Sequence, residues 1–201
     1  LRKEDLQAFK VEWVKPIRMR YRGYDIWEIP PNGSGLIVLQ ALGILESLSD
    51  DTKDLVETIH RRIEATKLGY MDGLHYITEQ SDMKPSVEQL LSSGYLSQRA
   101  SLIGEQAIDP KHGNPIKGGT VYLATADDEG NMVSFIQSNF EGFGSGIVVP
   151  GTGISLQNRG WSFSLDPEHA NALAPGKRTY HTIIPGFITK DDRAVGPFGV
   201  M

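Results

Sequence analysis

From Arg20 to Ile29 aromatic or aliphatic side chains alternate with polar ones at a period of two, which predicts a β-strand. Pro30-Pro-Asn-Gly-Ser-Gly35 then breaks the pattern with turn residues. The segment from Leu36 to Leu48 is apolar almost all round, the mark of a buried helix. Thr58 to Ile77 places Ile59, Ile63, Thr66 and Tyr70 along one helical face with charges elsewhere, and Pro85 to Leu102 predicts one or two further helices. Short polar helix signals also open the chain at Lys3-Glu-Asp-Leu6. Between Glu105 and Lys117 the pattern lapses, and Pro110, Gly113, Asn114 and Pro115 predict an exposed linker. From Thr120 onward strands replace helices, with Asp128-Glu-Gly-Asn131 as a hairpin turn. Helices before Thr120 and strands after it predict an α+β fold.

Composition narrows the function classes. The 201 residues suffice for one domain with a sizeable core. A formal net charge of −5 with mixed signs leaves no basic footprint, so nucleic acid is not an expected partner. No stretch approaches the roughly 18 uninterrupted apolar residues of a membrane span, so no membrane partner is expected either. The absence of Cys excludes disulfides and a thiol nucleophile. His60, His75, His112, His169 and His181 are scattered without a ligand spacing, so neither metal nor cofactor is expected. No signal peptide is visible, and a cytoplasmic location is the expectation.

The candidate chemistry sits at Gly118-Gly119-Thr120, just before the strand-like run Val121 to Asp127. A hydroxyl is a poor nucleophile without a base beside it. Cleavage just before a Thr supplies one, because the new α-amine titrates near pH 7.7–8.0 in peptides, within about a unit of neutrality. Two glycines give the backbone freedom for attack on the preceding carbonyl. Taken alone, Gly-Gly-Thr is most often an ordinary turn into a strand. Gly142-Phe-Gly-Ser-Gly146 is no phosphate cradle, since it lacks the Lys and following helix of a P-loop.

Longer motifs decide between these readings. Thr120 to Asp127, Met132 to Ser138, Gly142 to Ile154, Leu156-Gln-Asn-Arg-Gly160, Asn171 to Arg178 and Thr182-Ile-Ile-Pro185 together resemble the small-subunit start of the γ-glutamyltransferase family. Upstream, Leu6-Gln-Ala-Phe9, Tyr21-Arg-Gly-Tyr24 and Pro30 to Gly35 resemble the end of that family's large subunit. The resemblance implies a four-layer αββα N-terminal-nucleophile (Ntn) hydrolase. Residues 1–119 would be the C-terminal part of the large subunit and 120–201 the N-terminal part of the small one, in one structural domain. It further implies autoprocessing at Gly119–Thr120, an acyl-enzyme on Thr120, a small-molecule amide substrate and, as an open arrangement, a homodimer of heterodimers. The chain ends at Met201, short of the Gly-Gly pair that family members carry next and use to help bind the oxyanion.

Ser138 matches a family hydroxyl that bonds the nucleophile, and Gly142 opens a loop matching one near the pocket. Tyr122 joins the expected substrate contacts. Where true γ-glutamyltransferases hold the glutamate ammonium and carboxylate with Asn, Gln, Asp and a Ser-Ser pair, this chain has Phe140, Arg159, Ser162 and His181-Thr182. Loss of the acid and gain of Arg159 and His181 resemble the branch with cephalosporin-acylase-like and oxamate-amidohydrolase-like members. That favours amide hydrolysis over transpeptidation and a substrate carboxylate over an ammonium. Two alternatives stay open: Arg159 as a surface residue paired with an Asp, and Lys177-Arg178 as an anion site or a solvated turn, where the resemblance implies a structural element bordering the pocket. An unprocessed, inactive family member acting as a binding or scaffold protein is the alternative function.

Overall fold

The structure, a computed structural model, describes residues 2–48, 52–108 and 120–199. The chain opens with helix α1 (Lys3–Ala8), followed by strands β1 (Ile17–Tyr21) and β2 (Tyr24–Glu28). The single strand expected across Arg20–Ile29 is therefore the end of the first arm, the turn and the second arm of a hairpin. Arg22 and Gly23 carry φ of 47° and 82°, the doubly positive conformation of a tight two-residue turn. The period-two pattern slips here, where Arg22-Gly23 separates Tyr21 from Tyr24 by three positions.

Helix α2 (Gly35–Glu46) is the buried helix the pattern predicts: Leu36, Leu39 and Ile44 are fully enclosed. Helix α3 (Leu55–Tyr76) differs from expectation in the face it buries. Ala65, Leu68, Gly69 and Gly73 turn inward, whereas Ile59, Ile63 and Tyr70 are about half exposed. Close approach to α2 explains this. A Cβ at Gly69 would stand 2.9 Å from the Ile37 carbonyl oxygen, and one at Gly73 would collide with the Ile37 side chain. Small residues at i, i+4 spacing make the seam but carry a weak hydrophobic signal. Helices α4 (Val87–Leu90) and α5 (Ser93–Ala100) complete the helical layer. Asp72 joins it internally, pairing with Arg99 at 3.0 Å and accepting from Tyr95 at 2.9 Å and Gln40 at 3.2 Å.

After Thr120 come β3 (Thr120–Ala126) and β4 (Met132–Ser138), a two-stranded hairpin closed at the predicted turn. There Asp127 Oδ1 accepts from the Glu129 and Asn131 amides at 3.1 and 2.8 Å. Residues 139–185, expected to hold strands, form glycine-rich loops with isolated bridges instead. Strands β5 (Gly186–Lys190) and β6 (Arg193–Phe198) then join β1 and β2 in one antiparallel sheet ordered β1-β2-β5-β6. Segments from either side of Thr120 thus share a sheet. The expected linker falls largely outside the described residues, as do Gly118 and Gly119. No described helix is long and apolar enough to cross a membrane.

Glu28, at the end of β2, is 1% exposed, and neither carboxyl oxygen has a hydrogen-bond partner among the described residues. It fills the space left by two glycines: a Cβ at Gly35 would lie 2.8 Å from Oε2 and one at Gly186 2.7 Å from Oε1. Burial pushes its pKa from 4.5 up to about 8. A raised acid pKa means that the folded state holds the proton more tightly. Its stabilisation is complete below about pH 4.5 and is lost as pH rises through about 8. Urea unfolding of the full-length protein should show stability falling across this window, and Glu28→Gln should flatten the fall. An equally steep decline in the variant would assign it to other groups.

Candidate active site

Thr120 and Ser138 are the pair at the open end of the β3–β4 hairpin, so antiparallel register alone sets their side chains on one face. The Thr120 hydroxyl donates to Ser138 Oγ at 3.0 Å. The same oxygen accepts the Phe140 amide at 2.8 Å. Phe140 has φ of 77°, a left-handed conformation that costs a bulky residue on the order of 1–2 kcal/mol. The amide bond to Ser138 and the buried ring offset that cost. The ring is 7% exposed and sits between the Arg159 guanidinium, 5.1 Å from its centroid, and the Trp161 ring at 6.3 Å.

Asn158, which the sequence offers only as part of a longer motif, brings Arg159 to this place. Its side-chain oxygen accepts the Glu141 amide at 3.2 Å, its side-chain nitrogen donates to Glu141 Oε2 at 2.9 Å, and its own amide donates to the Asn139 carbonyl at 3.2 Å. These bonds close the neck of the loop that begins at Gly142. Gly144, with φ of 66°, lies against the Leu156 carbonyl where no side chain fits. The loop is a backbone device, and Gly142 itself has open space around it.

Arg159 is 4% exposed, which removes the surface-residue alternative. Its Nη1 donates to Thr182 Oγ1 at 2.7 Å, while Nη2 has no partner among the described residues. No described acid pairs with it, and burial pulls its pKa below the usual arginine value. An enclosed cation with a spare donor is suited to a carboxylate.

His181 and Thr182, adjacent in sequence, serve different surroundings. Thr182 meets Arg159, whereas His181 lines a cavity of about 860 Å³ with Asn32, Glu79, Arg178 and Ile183. Thr120, Ser138 and Arg159 do not line that cavity. Burial, and secondarily the Arg159 charge, pulls the His181 pKa down to about 4, so the ring is neutral at pH 7. Its Nδ1 accepts the Ile183 amide at 3.3 Å, which leaves the proton on Nε2. The positive charge at the site is therefore that of Arg159.

The segment 179–182 is clasped from both sides. The His181 amide donates to the Asn32 carbonyl at 2.9 Å, and Asn32 Nδ2 donates to the Thr179 carbonyl at 2.6 Å. Asn171, 2% exposed, accepts from Thr179 Oγ1 at 3.2 Å and the Tyr180 amide at 3.0 Å, and donates to the Ile77 carbonyl at 2.8 Å. The turn Pro30–Gly35 is thereby explained. Lys177 and Arg178 are structural: Arg178 pairs with Glu79 at 2.7 Å and Glu12 at 3.1 Å, and Lys177 donates to the Ala170 carbonyl at 2.7 Å. Tyr122, two residues beyond Thr120 on the same face, spends its hydroxyl on Ser134 at 3.1 Å. Ser162 ends the short helical turn Arg159–Ser162.

Residues 1–201 match the family described as gamma-glutamyltranspeptidase. The chain belongs to the gamma-glutamyltranspeptidase family. It is 39% identical over 98% of its length to an oxamate amidohydrolase proenzyme of Klebsiella pneumoniae subsp. pneumoniae, covering 37% of that protein. It is 40% identical over 93% of its length to a glutathione hydrolase-like proenzyme of Bacillus subtilis, covering 36% of it. The crystal structure of a cephalosporin acylase from Bacillus halodurans superposes with a TM-score of 0.92 at 63% identity, over all of this chain and 37% of that one. The expected α+β Ntn-hydrolase fold is therefore present, and the chain spans a little over a third of these relatives' length.

Ser138 is the acceptor that the described residues give the Thr120 hydroxyl. Ser138→Ala removes that acceptor and should lower kcat of the full-length enzyme by about one to two orders of magnitude, the equivalent of roughly 1.5–3 kcal/mol. Unchanged steady-state turnover would return Ser138 to a plain strand residue.

Proposed function

We propose that this chain carries the catalytic centre of an N-terminal-threonine amidohydrolase, made as a precursor that cuts itself between Gly119 and Thr120. The observation that carries the reading is the 3.0 Å bond from the Thr120 hydroxyl to Ser138, at the end of a strand. Cleavage would free the Thr120 α-amine as general base. The amine takes the hydroxyl proton while Oγ1 attacks the substrate amide carbonyl, and the proton passes on to the departing amine. Water then attacks the resulting Thr120 ester, releasing the acid and restoring the hydroxyl. The proenzyme names of the relatives support processing into two subunits from one precursor. Thr120→Ala should leave the full-length chain as a single band on a denaturing gel and without hydrolase activity. A cut Thr120→Ala protein would overturn the reading.

The acyl part we assign is one that ends in a carboxylate and lacks an α-ammonium, such as a glutaryl or oxamate-like group. Buried Arg159 with its unpartnered Nη2 supports this, as does Ser162 where an ammonium-binding Asp is expected. The names oxamate amidohydrolase and acylase among the relatives agree with it. A substrate ammonium deprived of its carboxylate partner loses about 2–5 kcal/mol, at least roughly 30-fold in rate. Hydrolysis of glutaryl anilide should outpace that of γ-glutamyl anilide, with little stimulation by glycylglycine. Faster turnover of the γ-glutamyl compound would contradict the assignment.

A further inference from the structure

Among the described residues the β3–β4 hairpin is a sheet of its own, with no ladder to β1-β2-β5-β6. Two-stranded hairpins are marginal alone, so side chains must fix where this one sits. A polar chain does so across its middle. The Tyr122 hydroxyl meets Ser134 Oγ at 3.1 Å, and Ser134 Oγ–H donates to the Phe198 carbonyl at 3.4 Å, which leaves Tyr122 as the donor to Ser134. Beside it the Tyr122 ring lies flush on Gly199: a Cβ there would stand 2.5 Å from Cδ2 and Cε2. The far end of this latch is rooted in the main sheet. Phe198 pairs with Gly186, and its ring fills the space over that glycine, where a Cβ would meet Cε1 at 2.6 Å.

We propose that Tyr122 is a positioning residue for the reaction: through Ser134 and Gly199 it locks the Phe198–Gly199 main chain at a fixed distance from Thr120. This rests on the reading of Thr120 as nucleophile. Tyr122 and Thr120 are two residues apart on one face of β3, about 7 Å along the strand. Movement of the latch therefore carries the nucleophile with it. The need is greatest after the proposed cut, which removes the covalent tether on the N-terminal side of Thr120. A shift of about 1 Å at a reacting atom can cost on the order of 100-fold in rate, so the latch acts on turnover rather than on substrate affinity.

The test uses processed full-length enzyme whose small subunit is confirmed to begin at Thr120. Tyr122→Phe and Ser134→Ala should each lower kcat about tenfold, with KM within about twofold of wild type. The double variant should lose no more than either alone, because both break the same chain. Ser134→Thr keeps the hydroxyl and should retain most of the turnover. Wild-type kcat in both Tyr122→Phe and Ser134→Ala, even with lowered melting temperatures, would overturn the proposal. So would a loss confined to KM, which would make Tyr122 a substrate contact. Should Tyr122→Phe not fold, the Ser134→Ala and Ser134→Thr pair decides alone. Thr120→Ala run alongside separates the two readings, because an active Thr120→Ala enzyme contradicts the nucleophile assignment and not merely the latch.

Discussion

Ser138 Oγ accepts two hydrogen bonds at once, from the Thr120 hydroxyl and from the Phe140 amide, and the geometry of the site follows from that double acceptance. The first bond orients the nucleophile proposed here. The second holds Phe140 in a left-handed conformation, turning the chain sharply at the end of β4. The turn presents the Phe140 ring to Arg159 and Trp161, and so places a buried cation in the same neighbourhood as the hydroxyl. A hydroxyl accepts both bonds without bringing a charge into the site.

Arg159 is the costly element. Enclosing a guanidinium without an acid is unfavourable unless something repays the desolvation. Thr182 and the face of Phe140 repay part of it, and Nη2 keeps donor capacity in reserve. On the proposed reading, the substrate carboxylate supplies the remainder. Segments on both sides of Gly119–Thr120 maintain this arrangement. The Pro30–Gly35 turn clasps residues 179–182, and β1 and β2 share their sheet with β5 and β6. A chain cut at that point would keep its two parts together through this sheet and these bonds.

Much of this was legible in the sequence. The apolar run of α2 and the hairpin around Asp128–Asn131 follow from local pattern, whereas the Thr120/Ser138 contact was expected from the family resemblance, and strand register across a short turn leaves it little freedom. Three features were not legible. The inward face of α3 is built from Ala and Gly, whose value lies in what they leave out. The β1–β2 turn is a single Arg22-Gly23 interruption inside an otherwise strand-like run. The partition of His181 from Thr182 depends on which side of one extended segment each residue faces, and that side is set by contacts with Asn32 and Asn171, far away in sequence. Asn158 and Asn171 are the general case: amides that tie loops together carry no periodicity and are visible only once their partners are in place.

The central claim is that Thr120 Oγ1 carries the acyl group. Mixing full-length enzyme with a carboxylate-bearing acyl ester, quenching in acid within the first turnover and measuring peptide masses tests it directly. The account predicts a peptide that begins at Thr120 and is heavier by the mass of the acyl group, absent when Thr120 is Ala. An acyl adduct on any other residue, or rapid turnover with no adduct at Thr120, would contradict it.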